Sequence, residues 1–379
     1  MNTDTTYDVI IAGGGLAGLS LAILLQRRNY AVLVLEKDAY PRHKVCGEYI
    51  SMESKPFLEK LGLPVGEMNL PVISKLQVTD NRGNEIITTL PQGGFGISRY
   101  RLDAALADLA INEGVKLLTR TKVEVIHWNN GSFKVEAGND VFGTRVLCGT
   151  WGKRSKLDIK SKRPFTLEKK KALNNYIGIK YHINYDWPSD LIGLHNFTDG
   201  YCGISQIEDN KCCLCYLTTA GTLQKSGNDI KQLEQDVLMK NRWLKQIFGA
   251  AQFLYESPMT ISQISFQKKE QVLDHVLLLG DAAGVITPLC GNGMSMALHS
   301  AKLADKEIND FLQGSITRET MEDNYTDEWQ DNFNNRTAIG RMVQSNFGKD
   351  RTTAFFIKAM KALPFVRKAI ISRAAGKPF

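Results

Sequence analysis

Apolar and polar positions along this chain follow two different periods, and the changes between them mark its elements. Residues 7–12 (YDVIIA) form an apolar run that ends in three glycines, and residues 31–35 (AVLVL) form a second such run. The stretch between them, about Leu16–Arg28, is rich in leucine and alanine and reads as a helix. Strand, turn, helix, strand is the opening of a parallel sheet, whose buried strands are apolar on both faces. Near the far end, Val276–Leu279 is another short buried strand. A glycine-rich turn follows it, then a helix with Met294, Leu298, Ala301, Ile308 and Phe311 along one face. The stretches near 71–94 and 164–269 alternate instead, as in NNYIGIKYHINY and KCCLCYLTT, which predicts an antiparallel sheet. From Ser315 the chain reads as helix. Tyr325, Trp329 and Phe333 fall at i, i+4 and i+8, a stripe that should pack against the domain of the parallel sheet.

The 379 residues, 43% of them hydrophobic, suffice for two domains and a tail. No run of 18 apolar residues occurs, and the N-terminal MNTDTTYDVI lacks a basic region followed by an apolar one. The expectation is a cytoplasmic protein, neither membrane-spanning nor secreted. Seven irregularly spaced cysteines fit reduced thiols better than a disulfide framework. The net charge of +7 is unevenly placed: residues 351–379 carry seven basic residues and no acidic one, so the first 350 are formally neutral. Within these, 153–171 (KRSKLDIKSKRPFTLEKKK) carries nine basic residues against two acidic. Neither cluster interleaves aromatics, and no helix-turn-helix or zinc-finger spacing occurs, which argues against nucleic acid as a partner.

The glycine turn at the start is Gly13-x-Gly15-x-x-Gly18. Gly13 makes the tight turn, Gly15 lets backbone approach a pyrophosphate, and Gly18 lets helix pack on strand. The helix then opens at Leu16 and Ala17, where free N–H groups and a partial positive charge suit phosphates. Glu36 ends the second strand, where a carboxylate can accept hydrogen bonds from ribose hydroxyls and disfavours a 2′-phosphate. FAD or NAD(H) is expected. The late block HVLLLGDAAGVITPLCGNGMSMALHSAKLAD narrows the choice to FAD. Asp281 at a strand end can hold polyol hydroxyls, and Gly291-Asn292-Gly293 lets a helix N-terminus approach an electron-rich oxygen. A ribityl chain and a flavin pyrimidine edge match those two groups.

With these motifs in place, the chain resembles the FAD-dependent p-hydroxybenzoate hydroxylase superfamily, and most closely its geranylgeranyl-reductase-like branch. The resemblance rests on Gly13–Glu36, on SRYRLDAALADLA with Arg99 and Asp103, and on Gly280–Met294; it spans roughly residues 5–335. It implies a Rossmann-like FAD-binding α/β domain of the glutathione-reductase type from 1–70, 95–160 and 270–315. It further implies an inserted antiparallel substrate sheet from 71–94 and 164–269, and a helical segment at 316–379 with a basic amphipathic tail. By carry-over, Asp281 holds the ribityl chain, Gly291, Gly293 and Met294 flank the flavin ring, and Gly280 and Pro288 join the cofactor contacts. Arg99 lies near the flavin or pyrophosphate. Leu16, Ala17, Lys37, Arg42, Val123 and Trp151 complete the expected cofactor contacts.

PRHKVCGEYIS, residues 41–51, follows the ribose-binding acid. The reductase-like branch often shows Lys-x-Cys-Gly there, matching Lys44-Val45-Cys46-Gly47, beside the isoalloxazine. Its cations suit two phosphates and an anionic reduced ring. Cys46 is read as a wall of the active site rather than a nucleophile. Three departures modify the picture. GTWGKRSKL puts Trp151 where the superfamily has an Asp linked to pyridine-nucleotide handling, which bears on NADH or NADPH as transient electron donor. GYCGISQ keeps Tyr201 of a prenyl-substrate motif, with Gly203 and Ser205 in place of aromatics. The halogenases' Trp-x-Trp-x-Ile-Pro block is absent.

No metal is expected. Neighbours on a strand face opposite ways, so Cys213 and Cys215 share a side that Cys212 does not. His195, His275 and His299 read as structural. The resulting expectation is an FAD-dependent oxidoreductase acting on a hydrophobic or aromatic small molecule, with hydroxylation preferred. The alternatives are reduction of a C=C bond and a flavin-binding electron carrier or sensor without turnover. Cys46 and Tyr201 are the candidate active-site residues. The basic run 153–171 reads as attracting the phosphates of a nucleotide or a carrier, or as a solvated loop between domains; 351–379 reads as a surface helix meeting anionic lipid, or as a docked helix pair with a solvated basic face.

Overall fold

The computed structural model describes residues 5–167, 175–287, 291–346, 348–362 and 376–379. Strand Thr5–Ala12 lies at the centre of the first sheet. Val9 pairs in parallel with both Val32 and Val146, so Val32–Leu35 and Asp140–Gly149 flank it. Lys116–Leu118 extends one side and Val276–Leu278 the other, both in parallel register. Ile10, Ile11, Leu33, Val34, Leu147 and Leu277 are fully buried, because helices cover this sheet. Helix Leu16–Arg27 packs on helices Arg99–Asn112 and Gly293–Leu312. Strands Val123–Asn129 and Ser132–Ala137 run with Asp140–Gly149 as an antiparallel meander on the same sheet.

The second sheet has nine strands among the described residues and is antiparallel except where Val72–Thr79 meets Leu191–Phe197. Alternation sorts its side chains. Ile179, Tyr181, Ile183, Cys212, Leu214 and Tyr216 pack with Leu233, Leu244 and Ile247 of flanking helices into one core. Leu194, Tyr201, Leu217, Ile264 and Phe266 form a second cluster, and it includes Val285 from the late glycine block. That contact joins one face of the antiparallel sheet to the first domain. The expected Rossmann-like domain with an added sheet and C-terminal helices is therefore present.

The aromatic stripe packs as its spacing predicts. In helix Arg318–Asn346, Tyr325, Trp329 and Phe333 are buried, and the Tyr325 hydroxyl donates to Leu278 O at 2.7 Å. A final described helix, Asp350–Ala362, buries Thr353, Ile357 and Met360 and leaves Phe355 75% exposed. Residues 363–375, with Pro364 and part of the basic tail, lie outside the described residues, as do 168–171 of the other basic run. Within that run, Ser155 and Asp158 form a reciprocal cap on helix Lys156–Lys160. Arg163 is fully buried rather than part of a solvated loop, paired with Asp158 and Glu270 at 2.9 Å each. Among the described residues no helix is long and apolar enough to cross a membrane.

Candidate functional site

The first glycine turn is closed by backbone contacts. Gly13 has φ +118°, and a Cβ there would lie 2.6 Å from Thr150 O, so both conformation and space require glycine. The Gly14 N–H donates to Glu36 Oε2 at 2.7 Å, which fixes that carboxylate at the strand end. Arg42 lies across Glu36, donating at 2.8 Å to Oε2 and at 2.8 Å to Gly14 O. Burial acts to raise the Glu36 pKa, but the Arg42 hydrogen bond and charge outweigh it and hold the carboxyl below its ordinary range. The Thr121 N–H donates to Glu36 O at 2.8 Å, which brings the strand starting at Val123 alongside. Lys37 points outward, its side chain 66% exposed.

Two cations stand over the turn. The Cβ position on Gly15 lies 3.5 Å from Lys44 Nζ and 3.8 Å from Arg99 Nη2. Gly15 caps helix Leu16–Arg27 with no side-chain hydrogen bond, so the helix N–H groups open toward the same spot. Arg99 is held by Asp103 through bonds of 2.6 and 2.7 Å, and Lys44 lies 3.7 Å from Asp103. Burial and the neighbouring Arg99 charge bring the Lys44 pKa down to about 8. An arriving pyrophosphate favours the charged lysine, so binding is linked to its protonation. Raising pH from neutral to above that pKa removes the charge from the free protein, and FAD affinity should fall by up to roughly tenfold per pH unit. Fluorescence titration with FAD across this range checks it; Lys44→Met should bind more weakly and lose the slope.

The late glycine block meets the early one. Gly280 has φ +57°, and a Cβ there would lie 3.3 Å from Ala297 and 3.5 Å from Ala17 at the start of the first helix. Its N–H donates to Ser300 Oγ at 3.0 Å. Asp281 is held through its backbone: the buried Lys269 ammonium donates at 2.8 Å to Asp281 O and at 2.8 Å to Lys153 O. Arg163 donates to Ala282 O at 2.9 Å. The Asp281 carboxylate stays partly exposed, 4.0 Å from Lys153 Nζ. Helix Gly293–Leu312 starts beyond Gly291, and no side chain caps its N-terminus. The Cβ position of Gly291 lies 2.9 Å from the Tyr49 ring, which brings Gly291, Gly293 and the buried Met294 beside the segment that follows Cys46 and Gly47. Pro288 lies outside the described residues. Trp151 packs over Gly149 and donates from Nε1 to Asp158 Oδ1 at 3.0 Å.

A set of residues that sequence reasoning did not bring together lies under the 44–48 loop. Glu48 is fully buried with φ +55°, and it accepts from Lys180 Nζ, from His182 Nε2 at 2.6 Å and from Arg99 N–H at 2.7 Å. Lys180 also donates to Lys44 O at 3.1 Å. Burial opposes a charged Glu48, yet the His182 hydrogen bond and the Lys180 charge lower its pKa overall. Lys180 and His182 share the face of their strand with Gly178, and the register puts Cys215 and Cys213 opposite them. Tyr201, Gly203 and Ser205 continue this face on the next strand. Cys46 is half-buried; Cys213 Sγ donates to its carbonyl at 3.2 Å, and its own sulfur accepts from Glu48 N–H at 3.5 Å.

The three-cysteine cluster does not converge: Cys212 Sγ donates to Tyr185 O on the other face. Glu48, His182 and Cys213 do bring ligand atoms within 4.8 Å of one another. The Lys180 ammonium on the same carboxylate makes this a hydrogen-bonded cluster rather than a cation site. The three histidines expected to be structural each have a protein partner. His195 is buried against Thr79 at 3.2 Å, His275 pairs with Glu322 at 3.0 Å, and His299 stacks on Phe379.

A family model for an NAD(P)-binding Rossmann-like domain matches residues 11–43. Over 385 residues the chain is 23% identical to conditioned medium factor receptor 1 of Dictyostelium discoideum, covering 91% of this chain and 71% of that protein. It is 23% identical to a menaquinone reductase of Mycobacterium tuberculosis, covering 80% and 77%. Among solved structures, a triple mutant of the flavin-dependent brominase Bmp2 superposes with a TM-score of 0.80 at 18% identity, over 98% of this chain and 94% of that one. PqsL of Pseudomonas aeruginosa, in complex with 2-aminobenzoylacetate, gives 0.73 at 18% identity, over 92% and 98%. The chain thus has the FAD-binding fold that flavin-dependent halogenases and monooxygenases share, and its likeness to them does not single out the reductase-like branch.

Proposed function

We propose that this protein is an FAD-dependent oxidoreductase acting on a hydrophobic or aromatic small molecule, with hydroxylation as the preferred reaction. The observation that carries the cofactor is the meeting of the two glycine blocks, Gly280 against Ala17, with Lys44 and Arg99 over Gly15. The turn from Gly13 to Gly18 with those two cations would hold the pyrophosphate and Glu36 the ribose. Asp281 would hold the ribityl chain, and Gly291 to Met294 the ring edge. FAD, when bound, supplies two-electron transfer and the activation of oxygen. The substrate lies against the face formed by Leu194, Tyr201, Leu217, Phe266 and Val285, whose apolar atoms exclude water and orient a ring by contact. Gly203 beside Cys215 gives that face a low floor, which suits a flat ligand.

Reduction of a C=C bond is the second reading. It is favoured by the menaquinone reductase among the relatives and by the buried acid and ammonium at Glu48 and Lys180, groups suited to managing a proton. NADH or NADPH as donor, and a carrier or lipid surface met by the basic segments, complete the proposal. The test starts with reconstitution: the apoprotein should take up FAD and turn yellow. Anaerobic addition of NADH or NADPH, then an air pulse, separates the reactions. Fast oxygen use that depends on an added phenol or quinone supports hydroxylation, whereas reduction with only slow reoxidation supports the second reading. A protein that stays colourless with FAD sinks both.

A further inference from the structure

We propose that His43, Tyr255 and His182 form a proton route between solvent and Glu48, beneath the loop that walls the ring end of the site; the role of that wall rests on the functional reading above. The route is continuous. His43 Nε2 lies 3.1 Å from the Tyr255 hydroxyl, that hydroxyl 2.8 Å from His182 Nδ1, and His182 Nε2 2.6 Å from Glu48 Oε2. Its outer end is half-buried, with the His43 ring stacked on Tyr100 at 4.5 Å. Its inner end is sealed, His182 being 4% exposed and Glu48 0%.

Each member has one acceptor and one donor to offer, so a single direction satisfies them all. His43 N–H donates to the Tyr255 oxygen, Tyr255 O–H to His182 Nδ1, and His182 Nε2–H to Glu48. A proton arriving from water on the free His43 nitrogen moves the chain one step. The His43 N–H proton passes to Tyr255, the tyrosine proton to His182 Nδ1, and the His182 Nε2 proton to Glu48. One proton enters, one reaches the carboxylate, and no ring keeps a charge; release runs the same steps backward.

The surroundings suit passage rather than storage. Burial raises the Tyr255 pKa to about 12, so it stays a phenol. Burial, then His182 and Lys180, lowers the His43 pKa, so that ring is neutral and can accept. Lys180 and the Arg99 N–H face Glu48 from the strand and the helix, and they oppose a proton resting there. Cys46, Cys213 and Glu208 are the other titratable groups nearby. A brace for Glu48 is complete with Lys180, the Arg99 N–H and His182. Tyr255 and His43, leading outward, are surplus to bracing, and both candidate reactions move protons.

Tyr255→Phe removes the middle oxygen and keeps the ring. In the apoprotein, the His43 imidazole titration, followed by NMR and assigned with His43→Gln, should move when His182→Gln or Tyr255→Phe breaks the chain. In the FAD-loaded protein the variant should keep its FAD affinity. It should slow the proton-dependent half-reaction by at least ~10-fold with a changed solvent isotope effect, and added imidazole or formate should restore part of the rate. An unchanged His43 titration, or a rate loss that small acids do not rescue, would overturn the route. If FAD does not bind, the functional reading falls, and the apoprotein titration alone decides the route.

Discussion

Gly18→Ala is expected to lose FAD binding and to destabilise the fold, although the substitution improves intrinsic helix propensity. Gly18 lies in the first helix, Leu16–Arg27, where alanine in place of glycine is worth about 1 kcal/mol by propensity alone. Here the new Cβ would stand 2.1 Å from Gly13 O and 2.8 Å from Thr150 Oγ1. The first of these neighbours is main chain and cannot rotate away. Overpacking of this kind costs about 1–3 kcal/mol, occasionally more, so sterics win and the sign reverses. Relief can come only by moving helix from strand, which shifts the N-terminal N–H groups that face the pyrophosphate position. Gly249→Ala is the control. It too is helical, in Arg242–Ala250, but nothing lies within 4 Å of its Cβ position. Urea melts and FAD titrations of both variants should therefore diverge, Gly249→Ala being neutral or slightly stabilising. A Gly18→Ala protein as stable as Gly249→Ala would show that the contact to Gly13 O relaxes freely.

The contrast between these glycines also marks what a sequence can disclose. Gly13, Gly18 and Glu36 fall within one βαβ unit, and their spacing alone aligns turn, helix start and acid. The aromatic stripe on the tail was legible for the same reason, since a helix brings i and i+4 together whatever surrounds it. Glu48 is different. Its partners Lys180 and His182 lie 132 and 134 residues away, and only sheet pairing brings them under the loop. A signal existed: the alternation in NNYIGIKYHINY puts Lys180 and His182 on one face, two polar groups where a strand beside a second domain should be apolar. What no local pattern supplies is the loop that meets them. Arg163 makes the complementary point. Charge composition marked 153–171 as a solvated or partner-seeking run, whereas Asp158 and Glu270 take that guanidinium into the interior to hold Ala282 O. Composition counts charges; it does not say which carboxylates fold back to meet them.

Lys180→Met should be among the most destabilising single substitutions in the chain, by about 3–5 kcal/mol, because it leaves the carboxylate of Glu48 buried without its ammonium. Both side chains are fully inaccessible, so water cannot replace the lost partner. Glu48→Gln alone should also destabilise, stranding the ammonium instead. The double variant should lose less than the sum of the two, since an amide beside a methionine leaves no unpaired charge; a coupling of up to about 3 kcal/mol is expected. The pH dependence separates this from simple packing loss. In the native pair Glu48 is held below its ordinary 4.5 and Lys180 above its ordinary 10.5. The contribution of Glu48 is thus present above about 4.5 and is lost as pH falls through its lowered pKa. That of Lys180 is present below about 10.5 and is lost as pH rises through its raised one. Between those limits the wild type should show no slope from this pair. In Lys180→Met, burial of Glu48 is less opposed and its folded pKa rises. The folded state then binds the extra proton, and stability should increase as pH is lowered from neutral. Chemical denaturation at several pH values reads this directly. Additive single-variant losses, or a Lys180→Met protein with a flat profile, would mean that the two groups do not depend on each other as the hydrogen bond between them requires.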